Sequence, residues 1–229
     1  MPDSSRIKLA IAYDSEAAGG FESGWGFSVL ISKDGANVLF DCGWDGHMLR
    51  RNLGRIGYTL SSVGTVILSH SHWDHMGGLS EVLQDAGLRE RLEVVLHDGF
   101  SQRLRSEIGR RATVTMVNGP KEVVPGIWSS GVLGSEVKEQ ALVIPVKSGA
   151  ILLTGCAHPG LRPLLERASG IRPVTTLMGG FHDANPADFP GGLGHLVLCH
   201  CTKAKDGLLR AFPSIASLGR VGASYEFEV

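Results

Sequence analysis

Hydrophobic residues along this chain gather into short runs of strand length, many of them continuous and β-branched, rather than into one long helical stripe. The runs at 7–12, 27–32, 37–40, 65–68, 93–96, 113–117, 141–146, 150–154, 174–177 and 196–199 predict strands covered on both faces. Between them, 46–57, 77–86, 100–110, 159–168 and 203–212 predict helices. Asp34-Gly35 between the second and third runs predicts a tight hairpin turn. Hairpin-like strands come first, strand and helix then alternate, and the same order returns later. That order predicts two similar halves, and the economical architecture is a four-layer αββα sandwich, an α/β fold. No linker or charge run splits the chain, so one domain over 1–229 is expected.

Composition narrows the class. Of 229 residues, 43% are hydrophobic and 20% charged, which excludes a disordered polar chain. Lys plus Arg (22) against Asp plus Glu (23) leaves a net charge of −1, so no broad positive field draws nucleic acid or anionic lipid. No apolar run reaches the ~18 residues of a membrane span, and the segment 1–6 lacks a signal-peptide core. Four cysteines are too few for a disulfide scaffold, which places the chain in a reducing cytoplasm. The expected partner is a small-molecule substrate, without nucleic acid or membrane; a homo-oligomer stays open. The unusual counts are 31 Gly and nine His, and they direct attention to tight turns and to imidazole chemistry.

The run at 65–68 leads directly into Ser69-His70-Ser71-His72-Trp73-Asp74-His75-Met76-Gly77-Gly78. Four ligand-type side chains at the end of a buried strand point to metal rather than to a solvated loop. If the backbone stays extended, His70, His72 and Asp74 share one side and His75 turns away, so that one loop serves two adjacent ions. Imidazole and carboxylate donors suit zinc, manganese, iron or nickel and do not choose among these; zinc is the first expectation. Gly77-Gly78 predicts a tight exit into the next helix. Two further strands end in ligand-type residues: 150–154 runs into Gly155-Cys156-Ala157-His158-Pro159-Gly160, and 196–199 into His200-Cys201-Thr202. If these strands lie in one sheet, their ends converge on a common edge.

At these residues the sequence resembles the metallo-β-lactamase superfamily, whose His-x-His-x-Asp-His motif is matched by His70, His72, Asp74 and His75. The resemblance implies the αββα fold and a site for one or two divalent metal ions. The family's bridging Asp, after a Leu-x-x-Gly strand, corresponds to Cys156 here; either Cys156 is a thiolate ligand, or it packs as a small hydrophobe while His158 takes the metal. Gly24-Trp25-Gly26-Phe27-Ser28, Gly179-Gly180-Phe181-His182 and the two loops above resemble the branch holding the dihydropterin-methyl ribofuranosylaminobenzene phosphate synthases, together with metallo-hydrolases of undefined substrate.

The resemblance implies metal held by His70, His72 and His158, with Asp74, His75 and His200 holding a second ion or orienting the nucleophile. His182 is a candidate substrate contact or proton donor, Trp73 a candidate stacking wall for a flat ring such as a pterin, and Glu22 a candidate rim residue. His47, His97 and His195 read as surface or core. The leading function is a metal-dependent hydrolase acting on a phosphoester or related small molecule. The alternatives are a transferase joining a pterin methyl diphosphate to an arylamine with release of pyrophosphate, and a metal-binding redox sensor using Cys156, Cys199 and Cys201. Ser69 and Ser71 lack a nucleophile-elbow context, and the Gly-rich segment 17–26 lacks the strand and helix of a dinucleotide site.

Overall fold

The computed structural model describes residues 6–85 and 92–229; the segment 1–5, and Ala86 at the end of the predicted helix 77–86, lie outside the described residues. The chain divides into two compact units, residues 6–116 with 220–229, and residues 117–219. Among the described residues no helix is long and apolar enough to cross a membrane.

The first unit is built on a seven-stranded mixed sheet. Its strands are β1 (Arg6–Tyr13), β2 (Ser28–Lys33), β3 (Ala36–Phe40), β4 (Thr65–Ile67), β5 (Glu93–Leu96), β6 (Thr113–Met116) and β14 (Ser224–Glu228), in the order β14-β1-β2-β3-β4-β5-β6. The half from β14 to β3 is antiparallel and the half from β3 to β6 parallel. Asp34 (φ 49°) and Gly35 (φ 82°) make the β2–β3 turn, both left-handed as a two-residue hairpin requires. One face packs Leu30, Leu39, Val66 and Val94 against the helices α1 (Gly46–Ile56), α3 (Leu79–Gln84) and α4 (Gln102–Gly109). The alternate residues Leu9, Ile31, Phe40 and Val95 are buried as well, so both faces are covered, as the continuous apolar runs predicted.

Helix α1 begins where Asp45 accepts hydrogen bonds from the His47 and Met48 amides, and ends at Gly57 in the left-handed region. From its inner face, buried Asn52 donates to the carbonyls of Ala12 (3.1 Å) and Glu22 (2.9 Å) and accepts from the Glu22 amide (3.0 Å). Asn52→Ala strands these backbone groups and is expected to cost about 1–3 kcal/mol in equilibrium urea unfolding. A loss under about 0.5 kcal/mol, the range of an ordinary surface substitution, would contradict that bridging role.

The second unit repeats the plan. Its strands are β7 (Lys121–Val124), β8 (Ile127–Ser129), β9 (Leu142–Val146), β10 (Gly149–Thr154), β11 (Val174–Gly179), β12 (His195–Leu198) and β13 (Ala216–Leu218), in the order β13-β12-β11-β10-β9-β8-β7. The half from β7 to β10 is antiparallel and the half from β10 to β13 parallel. Val143, Leu152, Leu177 and Leu196 pack with Leu161 and Leu164 of α5 (Leu161–Ser169) and Leu208 of α6 (Lys205–Ala211). The prediction of two similar halves therefore holds strand by strand. The prediction that three histidine-ended strands share one sheet does not: β4 belongs to the first sheet, β10 and β12 to the second.

Candidate metal centre

In the first unit the functional residues follow the carboxyl ends of adjacent parallel strands, where side chains leave the ladder and loops gather. Asp41 follows β3, Ser69 and His70 follow β4, and His97 follows β5. The motif stays extended only through His72. Trp73–Met76 then form a single helical turn, α2, so the expected alternation ends there. His75 is consequently not turned away: it is buried, with its ring centroid 4.2 Å from that of His70. His70 and His72 meet edge to face at 4.6 Å, with His70 Nε2 3.1 Å from His72 Nδ1. Asp74 lies in the same turn, its Oδ2 3.8 Å from His75 Nε2.

The organiser of this cluster is Asp41, which motif reading did not single out. Fully buried and at φ 58°, its carboxylate accepts from the Ser69 amide (2.7 Å), from the Ser69 hydroxyl (2.6 Å) and from His75 Nδ1 (2.7 Å). Ser69 Oγ, already donating to Asp41, accepts from His70 Nδ1 at 2.8 Å. Both imidazoles thus carry their proton on Nδ1, and Nε2 bears the ligating lone pair. His97 is a core residue: its Nδ1 accepts from the Gly99 amide (3.0 Å), so Nε2–H donates to the Ser69 carbonyl at 2.9 Å and holds the peptide beneath the cluster. Burial, with the Asp41 charge beside it, pushes the Cys42 thiol well above its ordinary value. The only hint in the sequence was a polar Asp directly after an apolar strand.

Gly77 and Gly78 serve a different purpose from the one predicted. Both have ordinary right-handed φ (−57° and −69°), but a Cβ at Gly77 would overlap the Trp44 carbonyl and one at Gly78 the Cys42 carbonyl. They let the motif lie against the β3–α1 loop, where the Cys42 amide donates to the His75 carbonyl at 2.7 Å.

In the second unit the loops after β10, β11 and β12 are laced together. The Gly180 amide donates to the Gly155 carbonyl (3.1 Å), the Phe181 amide to Thr202 Oγ1 (3.1 Å) and the Lys203 amide to the His182 carbonyl (3.0 Å). This brings Cys156, His158, His182 and His200 to one edge of that sheet. Cys156 and His200 are buried, and the rings of His158 and His182 lie 4.9 Å apart. The loop after β10 is curled rather than extended, with Ala157 at φ 57°, so the expected two-residue alternation from Cys156 to His158 does not apply. Its curl closes on Glu139, a second carboxylate that motif reading missed.

His182, at φ 39°, hydrogen-bonds through Nδ1 to Asp183 (2.7 Å) and lines a cavity of about 230 Å³ with His158, Arg162 and Asp188. The Lys203 ammonium on Asp183, then His182, hold that carboxyl below its ordinary value. Trp73 is 65% exposed, so it does not pack beneath the loop; it lines a cavity of about 490 Å³ with Met76, Leu79, Leu83, Leu104 and Ile108. Glu22 is committed to Arg51 (2.6 Å) and Arg55 (2.8 Å), an ion pair that takes its carboxyl down to about 2, Arg51 contributing most. Of the three unassigned histidines, His47 and His195 are on the surface.

The first unit's donors suit a divalent transition metal. Two nitrogens on one tetrahedral zinc, each ~2.0–2.1 Å from it, stand about 3.3 Å apart. The His70 to His72 separation of 3.1 Å is close to that, and carboxylate-fixed imidazoles are the usual support for such ligands.

Similarity to known proteins agrees with this chemistry. The chain is 25% identical over 210 residues to a Methanocaldococcus jannaschii protein described as uncharacterized, covering 79% of this chain and 81% of that one. It is 23% identical over 208 residues, 70% of this chain and 71% of the relative, to the same organism's 7,8-dihydropterin-6-methyl-4-(beta-D-ribofuranosyl)-aminobenzene-5'-phosphate synthase. A solved metal-dependent hydrolase of the beta-lactamase superfamily superposes with a TM-score of 0.79 at 24% identity, over 97% of this chain and all of the other. Two mixed sheets with flanking helices make this chain α/β, and the superposition shows that the neighbour shares the fold. A family profile matches residues 26–163, more than half of the chain and the whole His-x-His-x-Asp-His motif, and the chain therefore belongs to the metallo-beta-lactamase superfamily.

Proposed function

We propose that this protein is a metal-dependent hydrolase of small phosphoesters or related substrates, working in the cytoplasm with one or two divalent ions, zinc first. The observation that carries the proposal is the set of three imidazoles, His70, His72 and His75, two of them fixed in one tautomer by Asp41 and Ser69. His70, His72, Asp74 and His75 are the proposed ligands of the first unit, and His158 and His200 those of the second, with Cys156 as an alternative thiolate donor beside His158; motif and family support these assignments. When bound, the metal supplies a Lewis acid and a water of near-neutral acidity.

The chain's own residues supply the remainder. Asp41 and Ser69 keep His70 and His75 from reorienting when substrate enters. Asp74 accepts a proton from the attacking water. Asp183 holds the Nδ1 proton of His182, so Nε2 is the atom that exchanges a proton with the departing group. Arg162, on the same cavity as His182, offers a cation to a phosphoryl oxygen.

A second reading, favoured by the similarity to the synthase, joins the pterin-methyl unit of a pterin methyl diphosphate to an arylamine nitrogen, with pyrophosphate as the leaving group. Zinc- or manganese-loaded protein assayed on a panel of phosphoesters that includes a dihydropterin methyl diphosphate decides between the two. Product release with water alone supports hydrolysis, whereas pyrophosphate release that requires an added arylamine phosphate overturns it in favour of transfer. Absence of both, together with a visible iron absorbance in the protein as purified, would turn the assignment to a redox sensor.

A further inference from the structure

Glu139 is fully buried just before β9, and its backbone is fixed by two hydrogen bonds with Leu133, each 2.9 Å. Its side chain receives four successive amides of the next strand's exit loop. Oε1 accepts from Gly155 (3.1 Å), Cys156 (2.9 Å) and Ala157 (3.0 Å), and Oε2 from His158 (2.8 Å). A backbone that alternates hand turns successive N–H groups toward one acceptor, and Ala157, at φ 57°, supplies a left-handed step here. That conformation is uncommon for alanine. The carboxylate and the turn therefore require each other: four converging amides need an anionic acceptor, and a buried carboxylate needs such donors.

We propose that Glu139 is the positioning residue of the 155–158 turn, and that its carboxylate sets the direction in which Cys156 and His158 present their sulfur and nitrogen. Only an ionised carboxylate can accept at both oxygens; a glutamine turns an NH₂ group toward one set of amides. The metal-related part of this inference rests on the proposed function, while the conformational part does not.

The test uses the full-length, metal-free protein and its Glu139→Gln variant, with Glu139→Asp as a milder second variant should the first fail to fold. Amide hydrogen exchange is expected to accelerate by about tenfold or more at residues 155–158, with the first unit's strands unchanged. Iodoacetamide labelling of Cys156, which is 3% exposed, should rise in parallel, read by mass spectrometry on its own tryptic peptide while Cys42 stays protected. Zinc affinity should fall by about 10–100-fold, the usual cost of losing an outer-shell partner. Unchanged exchange and labelling in a folded variant would overturn the proposal, as would faster exchange with Cys156 labelling as slow as in the parent. If the parent protein takes up no zinc, manganese, iron or nickel, the proposed function fails, and the exchange and labelling results still decide the role of Glu139.

Discussion

Replacing Asp41 with alanine is expected to lower stability by about 3–5 kcal/mol, the cost of breaking a buried charged or strongly hydrogen-bonded pair from one side. Three donors converge on that carboxylate, the Ser69 amide, the Ser69 hydroxyl and His75 Nδ1–H, and alanine leaves all three in the interior. Alanine also tolerates φ 58° poorly, whereas asparagine, which visits the left-handed region readily, does not add that penalty. Asp41→Asn should therefore keep more of the stability and still lose about 10–100-fold in zinc affinity, because its amide cannot accept from every donor. Urea unfolding and zinc titration on the two variants check both statements. Equal stability for the parent and Asp41→Ala would remove Asp41 from its organising place.

His72→Ala is expected to separate function from fold. His72 is exposed at the start of α2 and contributes no side-chain cap, so its loss should shift stability by no more than about 0.5 kcal/mol, as for an ordinary surface substitution. As a proposed metal ligand, it should nonetheless lower turnover by about a thousandfold or more, several kcal/mol of barrier. His70→Ala is the contrasting case: His70 is buried between Ser69, His72 and His75, so both stability and activity should fall. Turnover and unfolding midpoints on the two variants read the split. An active His72→Ala enzyme would contradict the ligand assignment.

Legibility in the sequence followed burial for most strands, with two exceptions: the half-exposed edge strand β6 was legible, and β8, largely buried but only three residues long, was not. Strands buried on both faces, such as those carrying Ile31, Val66, Leu152 and Leu177, stood out as apolar runs. The edge strands β7, β13 and β14 did not, because half-exposed stretches such as Ser224–Glu228 and Lys121–Val124 carry too little apolar signal to separate from loops. The histidines were legible because four ligand-type side chains in six residues are improbable in a plain loop. Their supports were not. Asp41 and Glu139 are single carboxylates whose importance lies in donors gathered from distant or curled segments, side-chain as well as backbone at Asp41 and backbone at Glu139, and nothing in their immediate neighbours encodes that convergence. His97 was left among surface or core residues for the same reason; its partner, the Ser69 carbonyl, is 28 positions away.

In the first unit a buried carboxylate sits behind the histidine motif; in the second, another sits behind the Cys156–His158 turn. Each fixes ligand-type side chains through hydrogen bonds before any metal arrives, which lowers the ordering cost of binding. Metal affinity should therefore respond to Asp41 and Glu139 as well as to the histidines.

The most direct measurement is metal content by elemental analysis of protein purified without chelator, repeated after zinc loading on the parent and on His72→Ala. The predicted result is at least one tightly held divalent transition metal per parent chain, with a clear loss in the variant while its fold is retained. A parent protein that holds no transition metal even at saturating zinc, or a variant that holds as much as the parent, would contradict the metal-dependent assignment.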